Sequence, residues 1–381
     1  MTQSTPPHVA FFATHLPVGG VQRMLVNITG ALAEKGWRVD LVLVRKEGEF
    51  LKLLSPQVNV VDLGSPGLLK TTGRLAAYLR AHKPDALLAT GLHRNVFALL
   101  ARSLARVSCR VVLSERVVVS RYGCWRHTRL QTGLFHAVYR VTARLSFPKA
   151  DAIFAVSEEA ARDLERYAAL PDGHVKHIYN PFITPHLTVA AHEPVDHPWF
   201  AERGRVPVLL SVGRFDKQKD YATLLRAIAQ VRERREVRLV LVGDGLERGA
   251  IESLRDELNL QEHVAIFGFD TNPFRYMSKT DLFILSSIYE GAPNVLVEAL
   301  GCGAPVLATD CPGGIREILG AARYGDIVPM RDADAMATAI LAFLEKPDSA
   351  KTERFLRERA HEFTLEQSVT AYGGLLIPGA Q

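Results

Sequence analysis

Residues 8–36 read HVAFFATHLPVGGVQRMLVNITGALAEKG, and this stretch decides the fold class. His8–Ala13 is apolar without alternation, the signature of a strand buried on both faces. A Gly-containing turn follows, and Val21, Met24, Leu25, Ile28 and Leu32 then recur at the helical period across Val21–Lys35. Gly36 stands where a helix C-cap is wanted. Strand, turn and one-faced helix form the repeating unit of a parallel sheet with helices on both sides.

The unit recurs along the chain. Strands are expected at Arg38–Val44, Val58–Leu63, Ala86–Ala89, Arg110–Ser114, Ala152–Val156 and Val175–Tyr179, with helices at Thr72–His82, Asn95–Arg106 and Glu158–Ala168. Pro181–Arg205 has no period and reads as a linker. A second series opens with strand Val208–Val212 and helix Tyr221–Glu233, and continues through strands Arg238–Val242, Val264–Phe267, Asp281–Leu285 and Val306–Thr309. Helices are expected there at Leu246–Leu258 and Val295–Leu300. The reading is α/β: two Rossmann-like doubly wound domains facing a cleft, over residues 1–185 and 206–362, with 186–205 between them. Ligands are expected at the C-terminal strand ends.

Composition agrees. A length of 381 residues is generous for one domain, and 48% hydrophobic with 23% charged residues excludes a disordered or fibrous chain. The longest apolar runs fall far short of the ~20 residues that span a bilayer. No signal segment is expected, because Val9–Ala13 is short and no basic stretch precedes it. Four cysteines form no CxxC pair, so a reducing, cytoplasmic setting is expected. The thirteen histidines show no HxxxH spacing, and Asp332-Ala-Asp334 precedes helix Ala335–Leu344 as capping acids would. No metal is expected.

The net charge of +5 hides an asymmetry. Residues 1–185 hold 24 Lys and Arg against 13 Asp and Glu, and the remainder 22 against 28. In Arg94–Lys149 eleven basic residues face one acid, Glu115. Such density suits a polyanion, yet no aromatic ladder, helix-turn-helix or zinc spacing accompanies it, so nucleic acid is not expected. Trp125, Leu130, Leu134, Phe135, Val138, Val141 and Leu145 interleave at helical period with Arg126, Arg129, Arg140 and Arg144. That pattern suits a helix lying on an anionic membrane or gripping a lipid diphosphate, or a core helix with solvated arginines.

Four motifs carry chemistry. Gly19 and Gly20 open the first helix, as a phosphate cradle or a plain turn would. Arg214 and Lys219 follow strand Val208–Val212, where two fixed cations suit a diphosphate, although a solvated loop would look the same. Gly243, Gly245 and Gly249 mimic a dinucleotide fingerprint, but they follow the second strand of their series and no acid ends the next one. In residues 286–306, Glu290 sits in a loop beside Gly-Ala-Pro. A helix starting near Asn294 carries Glu298, and Gly301 ends it. Its amides at Val295 and Leu296 can receive phosphate, while two carboxylates in an apolar segment suit a polyhydroxylated ligand.

Together these residues resemble a retaining glycosyltransferase of the large family 4, with the GT-B architecture, over nearly the whole chain. Glu290 and Glu298 in EGAPNVLVEALGCGAPVLATDCPG match its EX7E motif. VGRFDKQKDY matches its phosphate-binding Arg and Lys, Gly19 and Gly20 its glycine loop, and IYNPF its interdomain segment. The stretch 363–376 resembles the helix that crosses back, so residues 363–381 would rejoin the first domain. The resemblance implies Glu290, Arg214 and Lys219 as catalytic residues, the two cations neutralising the donor diphosphate. Gly20 and the amides of Asn294, Val295 and Leu296 would help hold that diphosphate. Glu298 would bind the ribose and Glu290 the donor sugar, with the base against Phe267, Gly268 and Phe269. It implies no metal and no cofactor beyond the nucleotide sugar, and front-face attack with the acceptor proton taken by the leaving phosphate.

Many relatives carry a histidine after the strand corresponding to Val111–Ser114, where this chain has Glu115 or Arg116. A Ser-Glu-Arg run with Arg94 and Asn95 upstream resembles transferases that extend lipid-linked exopolysaccharide, O-antigen or N-glycan precursors from UDP-sugars. Arg94, Asn95, Glu115 and Arg116 are therefore expected on the acceptor side. The expected partners are a nucleotide sugar, a polyprenyl-diphosphate-linked glycan and the inner, anionic face of a membrane, with the chain peripheral to it. The rivals are a nonhydrolysing UDP-sugar epimerase of the same architecture, a binding-only protein, and an NAD-dependent enzyme.

Overall fold

The computed structural model describes residues 5–17, 19–64, 67–121, 129–201, 206–345 and 353–379. The chain divides into two compact units, Met1–Pro181 with Leu365–Gln381, and Phe182–Thr364. The C-terminal stretch thus belongs to the first unit.

In the first unit β1 (His8–Ala13), β2 (Arg38–Leu43), β3 (Asn59–Asp62), β4 (Ala86–Thr90), β5 (Arg110–Glu115), β6 (Ala152–Ala155) and β7 (Val175–His177) form one parallel sheet. Their order is β3-β2-β1-β4-β5-β6-β7. Strand side chains alternate between faces, so Phe11 and Phe12 enter different cores. Phe11 meets Met24, Leu25 and Ile28 of helix Gly20–Glu34 and Tyr372 and Leu376 of helix Leu365–Leu376. Phe12 meets Leu75 and Leu79 of helix Leu68–His82, and the same core takes Leu99 of helix Leu92–Ala105 and Leu164 of helix Glu158–Ala168.

The second unit repeats the plan. β8 (Val208–Val212), β9 (Arg238–Val242), β10 (Val264–Phe267), β11 (Leu282–Leu285), β12 (Val306–Thr309) and β13 (Asp326–Val328) are parallel, in the order β10-β9-β8-β11-β12-β13. Each sheet therefore has one point where the winding reverses, β1/β4 and β8/β11. There the loops leave in opposite directions and open a crevice at the carboxyl ends.

Some segments depart from the sequence reading, and one expected helix takes shape. β13 is an added edge strand of three residues, too short to show a period. Residues 186–205, read as a linker, carry helices Pro185–Ala190 and Pro198–Ala201, and Leu187 and Phe200 are buried in the second unit. Their backbone is tied down: Asn272 Nδ2 donates to Ala190 O (2.9 Å) and Ser278 Oγ to Ala191 O (2.6 Å). Helix Arg129–Ser146 realises the basic amphipathic stretch. It buries Tyr139 and Ala143 and turns Val138, Val141 and Leu145 outward, at 57%, 57% and 69% exposure. Trp125 and Arg126 lie outside the described residues, as do the side chains of Arg129, Leu130, Leu134 and Phe135.

The first sheet also encloses one full ion and hydrogen-bond network. Asp40 on β2 is wholly buried and accepts from Tyr78 Oη, from Asn59 Nδ2 (3.0 Å) and from His8 Nε2 (2.9 Å). Burial opposes the carboxylate, but the bonds from Tyr78, Asn59 and His8 outweigh it and hold its pKa below the usual value. A depressed carboxylate stabilises the fold above its unfolded pKa and loses that contribution as pH falls through the folded one. Asp40→Asn should therefore destabilise the first unit by about 2 kcal/mol at neutral pH, with the gap to wild type closing as pH drops below ~4. Amide exchange of β1 and β2 under increasing urea measures it, and a gap independent of pH would refute the charge assignment.

Candidate active site

A polar constellation of the second unit lies at the β8/β11 reversal. After β8 the chain makes a tight turn, Lys217–Lys219, in which Asp216 Oδ1 accepts from Gln218 N (2.9 Å). Asp220 then caps helix Tyr221–Arg232. The loop after β11 is stitched to this turn: Ser286 Oγ donates to Lys219 O (2.6 Å), and Ile288 N donates to Gln218 O (2.9 Å).

That stitching brings Lys219 Nζ to 2.7 Å from Glu290 Oε1, both side chains being largely buried. Ser287 Oγ also donates to Oε1 (2.7 Å), and Gln218 Nε2 donates to Oε2 (3.3 Å) and to Tyr289 O (2.8 Å). Glu290 N donates to Pro312 O (2.7 Å), and next to it Gly313 has φ +116°. A Cβ at Gly313 would stand 2.0 Å from Glu290 O, so only glycine lets the two loops close. Arg214 is different. Its side chain is 62% exposed and its Nη2 lies 3.3 Å from Asp216 Oδ2, a pair open enough to leave it available to an anion.

Gly243 and Gly245 have a structural purpose. A Cβ on Gly243 would lie 1.9 Å from Gly213 O, and one on Gly245 2.4 Å from Phe215 O. The β9 loop presses against the backbone of the β8 loop, with Phe215 N donating to Asp244 O (2.9 Å). The fingerprint spacing is accounted for by this contact, and Gly249 has nothing within 4 Å of where its Cβ would be.

Helix Asn294–Gly301 follows from a Pro293 start and a run of buried Leu296, Val297, Ala299 and Leu300. Glu298 is buried on it. Arg357 donates to Gly301 O (2.8 Å) and Cys302 O (3.0 Å), placing a cation at the negative end of the helix. Burial, with the charge of Glu298, pushes the Cys302 thiol up to about 12, so it is inert. Of the amides expected to face a phosphate, Leu296 N turns back on Pro293 O (3.1 Å).

At the end of β10, Phe267 packs against His197 (5.1 Å) and Tyr276 (5.6 Å), Gly268 stands in open space, and Phe269 is exposed. Burial holds the His197 imidazole below its usual pKa, which keeps this ring neutral against Phe267. Asp270, held as a carboxylate by Asn272 N, Tyr276 Oη and Arg275 against its burial, braces the same loop.

In the first unit, Gly19 is extended and Gly20 begins its helix. Arg94 bridges the β1/β4 reversal, donating to Thr90 O and to Thr14 Oγ1 (2.6 Å). Asn95 donates to Ser114 O (3.2 Å) and Glu115 Oε1 (2.7 Å). Glu115 is wholly buried. Arg116 turns to the opposite core, donating to Asn180 Oδ1 (2.6 Å) and lying over the rings of Phe154 (5.2 Å) and Tyr372 (5.9 Å). Its cation is thus held inside the unit, on Asn180 and two aromatic rings. Gln218, Ser287, Gly313 and Tyr139 were not anticipated. Only Gly313, following Pro312, carried a local signal.

The chain matches two family profiles, "Glycosyltransferase Family 4" over residues 18–184 and "Glycosyl transferases group 1" over residues 196–363. It is 31% identical over 251 residues to the N-acetylgalactosamine-N,N'-diacetylbacillosaminyl-diphospho-undecaprenol 4-alpha-N-acetylgalactosaminyltransferase of Campylobacter jejuni, a match spanning 66% of this chain and 64% of that protein. The amylovoran biosynthesis glycosyltransferase of Erwinia amylovora is 24% identical over 79% of this chain and 80% of its own. Among solved structures, sucrose-phosphate synthase from Thermosynechococcus elongatus superposes with a TM-score of 0.79 at 23% identity, covering 97% of this chain and 98% of that one. An Anabaena protein in complex with UDP superposes at 0.76 and 21%, covering 97% and 99%. With both halves matched, and with two doubly wound sheets of this kind, the chain belongs to glycosyltransferase family 4 and has the GT-B fold.

Proposed function

We propose that this protein transfers a hexose, with retention, from a UDP-sugar to a growing polyprenyl-diphosphate-linked glycan at an anionic membrane face. The observation that carries the reading is the Lys219–Glu290 pair at the β8/β11 reversal, beside the exposed Arg214. A sugar diphosphate needs cations for its leaving group and a carboxylate for its sugar hydroxyls. Here both stand at one spot. Arg214, Lys219 and the N-terminus of helix Asn294–Gly301 would stabilise the departing diphosphate without a metal, and that phosphate would take the acceptor proton. The names of the relatives support the substrate classes, one naming a diphospho-undecaprenol acceptor and a solved neighbour holding UDP and glucose.

Arg214 gives the cleanest test, because its surface pair contributes little to stability. A charge-assisted contact is worth about 1.5–3 kcal/mol, so Arg214→Ala should weaken UDP binding roughly 10-fold or more. Its melting temperature should stay at the wild-type value. Unchanged UDP affinity by calorimetry would remove Arg214 from the donor site.

The two glutamates separate in the same assay. Glu298→Gln should lower affinity for UDP itself, as a ribose ligand must. Glu290→Gln should slow sugar transfer while leaving UDP binding as strong or stronger, since it releases Lys219 from its 2.7 Å pair. UDP binding lost only in Glu290→Gln would reverse these placements.

Membrane attachment rests on helix Arg129–Ser146, whose outward Val138, Val141 and Leu145 neighbour the exposed Arg140 and Arg144. Among the described residues, no helix is long and apolar enough to cross a membrane. Each basic side chain at an anionic surface is worth about 1 kcal/mol and is screened by salt. Replacing Arg140 and Arg144 with Gln should weaken sedimentation with phosphatidylglycerol vesicles at low salt, with UDP affinity intact. A wild-type protein that stays in the supernatant would overturn the peripheral reading.

A further inference from the structure

Glu115, at the end of β5, has no part in the donor chemistry, yet its surroundings are unusual. Its Oε1 accepts from Asn95 Nδ2 (2.7 Å) and from Tyr139 Oη (3.0 Å). Among the described residues its Oε2 has no partner, and neither does Asn95 Oδ1 or Ser114 Oγ. Two touching side chains thus each present a buried acceptor atom with no donor. An ionised carboxylate leaves both unsatisfied, a costly state at zero exposure. A proton on Oε2 turns one of the two acceptors into a donor and removes the buried charge.

The charged and titratable neighbours come from four elements. Arg116 follows directly after β5, Arg94 and His93 lie on helix Leu92–Ala105, Tyr139 on helix Arg129–Ser146 and Tyr167 on helix Glu158–Ala168. Burial raises the carboxyl most. The bonds from Tyr139 and Asn95 and the charges of Arg94 and Arg116 pull it down, and the balance is a pKa of about 7. His93, beside the Tyr139 ring (6.1 Å), is held below its usual value by burial and Arg94, so it does not supply the missing charge.

We propose that Glu115 is a proton-binding positioning residue: as the neutral acid it offers Asn95 Oδ1 a donor, holds the first turn of helix Leu92–Ala105 and so fixes Arg94 across the β1/β4 reversal. Raising the pH removes that donor and leaves a buried charge in the same site as the unpartnered Asn95 Oδ1, which loosens the turn even though the bond from Tyr139 favours the ionised form. The sign follows from linkage. A carboxyl with a raised folded pKa stabilises the fold fully below its unfolded pKa of ~4.3 and loses that contribution as pH rises through about 7.

The direct test is a carboxyl-carbon NMR titration of the full chain labelled at glutamate. One resonance should inflect near pH 7 and vanish in Glu115→Gln, while Tyr139→Phe, which removes a donor to the ionised form, should move that inflection to higher pH. If every glutamate titrates below about 5.5, or a neutral inflection survives in Glu115→Gln, the proposal fails. Thermal melting gives a second readout. From pH 5 to pH 8 the wild type should lose several degrees relative to Glu115→Gln, and parallel curves would overturn it. Tyr139→Phe carries the test should Glu115→Gln not fold. The consequence for positioning rests on the transferase reading: acceptor KM should rise above pH 7 in the wild type and stay flat in Glu115→Gln, with UDP affinity unchanged in both. A proton found by NMR with a flat wild-type KM would overturn the positioning role while leaving the proton assignment. Loss of transferase activity in the wild type would sink the function and leave the NMR result standing.

Discussion

Lys219 and Glu290 are 71 residues apart in sequence and 2.7 Å apart in the fold, and the second unit is built to keep them there. A largely buried ion pair is stable only if its remaining hydrogen-bonding capacity is filled. Ser287 and Gln218 do that for the carboxylate. The approach itself requires β8 beside β11, the glycine contact between the β8 and β9 loops, and a residue without Cβ at Gly313. In the resting protein the two charges neutralise each other. A bound diphosphate would have to draw Lys219 from Glu290, and that exchange would leave the carboxylate open to sugar hydroxyls as the cation turned to phosphate.

The first unit has the same winding and a different chemistry at its reversal. There Arg94 joins β1 to β4 through Thr14 and the Thr90 carbonyl, and the buried group behind it is a carboxyl with an empty acceptor. A doubly wound sheet dictates where loops diverge. What the loops do depends on which side chains they carry.

The basic excess of the first unit is less free than its count suggests. Arg102 pairs with Asp151 and donates to Lys149 O (2.6 Å), Arg110 Nε donates to Leu375 O (2.8 Å), and Arg116 is enclosed. These arginines hold helices and strand ends together within the unit. Arg140 and Arg144 lie on the exposed side of helix Arg129–Ser146 with Val138, Val141 and Leu145, Arg140 also over the Tyr167 ring (5.1 Å). Arg106, Arg121 and Lys149 are exposed as well, so what sets this helix apart is that its arginines flank outward apolar side chains.

How much of this was legible in the sequence follows from which contacts are local. Strands buried on both faces announce themselves, and β1, β8, β9, β10 and β12 begin and end where their apolar runs do. β13 has three residues and no period to read. Glu290, Lys219 and Arg214 stood out by their place after buried strands and by resemblance to a family motif; Gln218 did not, because its partners arrive from another loop, and Ser287 did not, because a serine three residues before a glutamate is an ordinary local pair. Glu115 and Arg116 show the limit most clearly. In sequence they are neighbours, and either could have filled one acceptor-side position. Side chains on a strand alternate, so consecutive residues at the end of β5 must enter opposite cores. Glu115 joins Asn95 and Tyr139 on one side, and Arg116 joins Asn180, Phe154 and Tyr372 on the other. Residue type told that a charge was wanted near this strand end; only the register, set by Thr90 opposite Ser114, decides which charge faces which way.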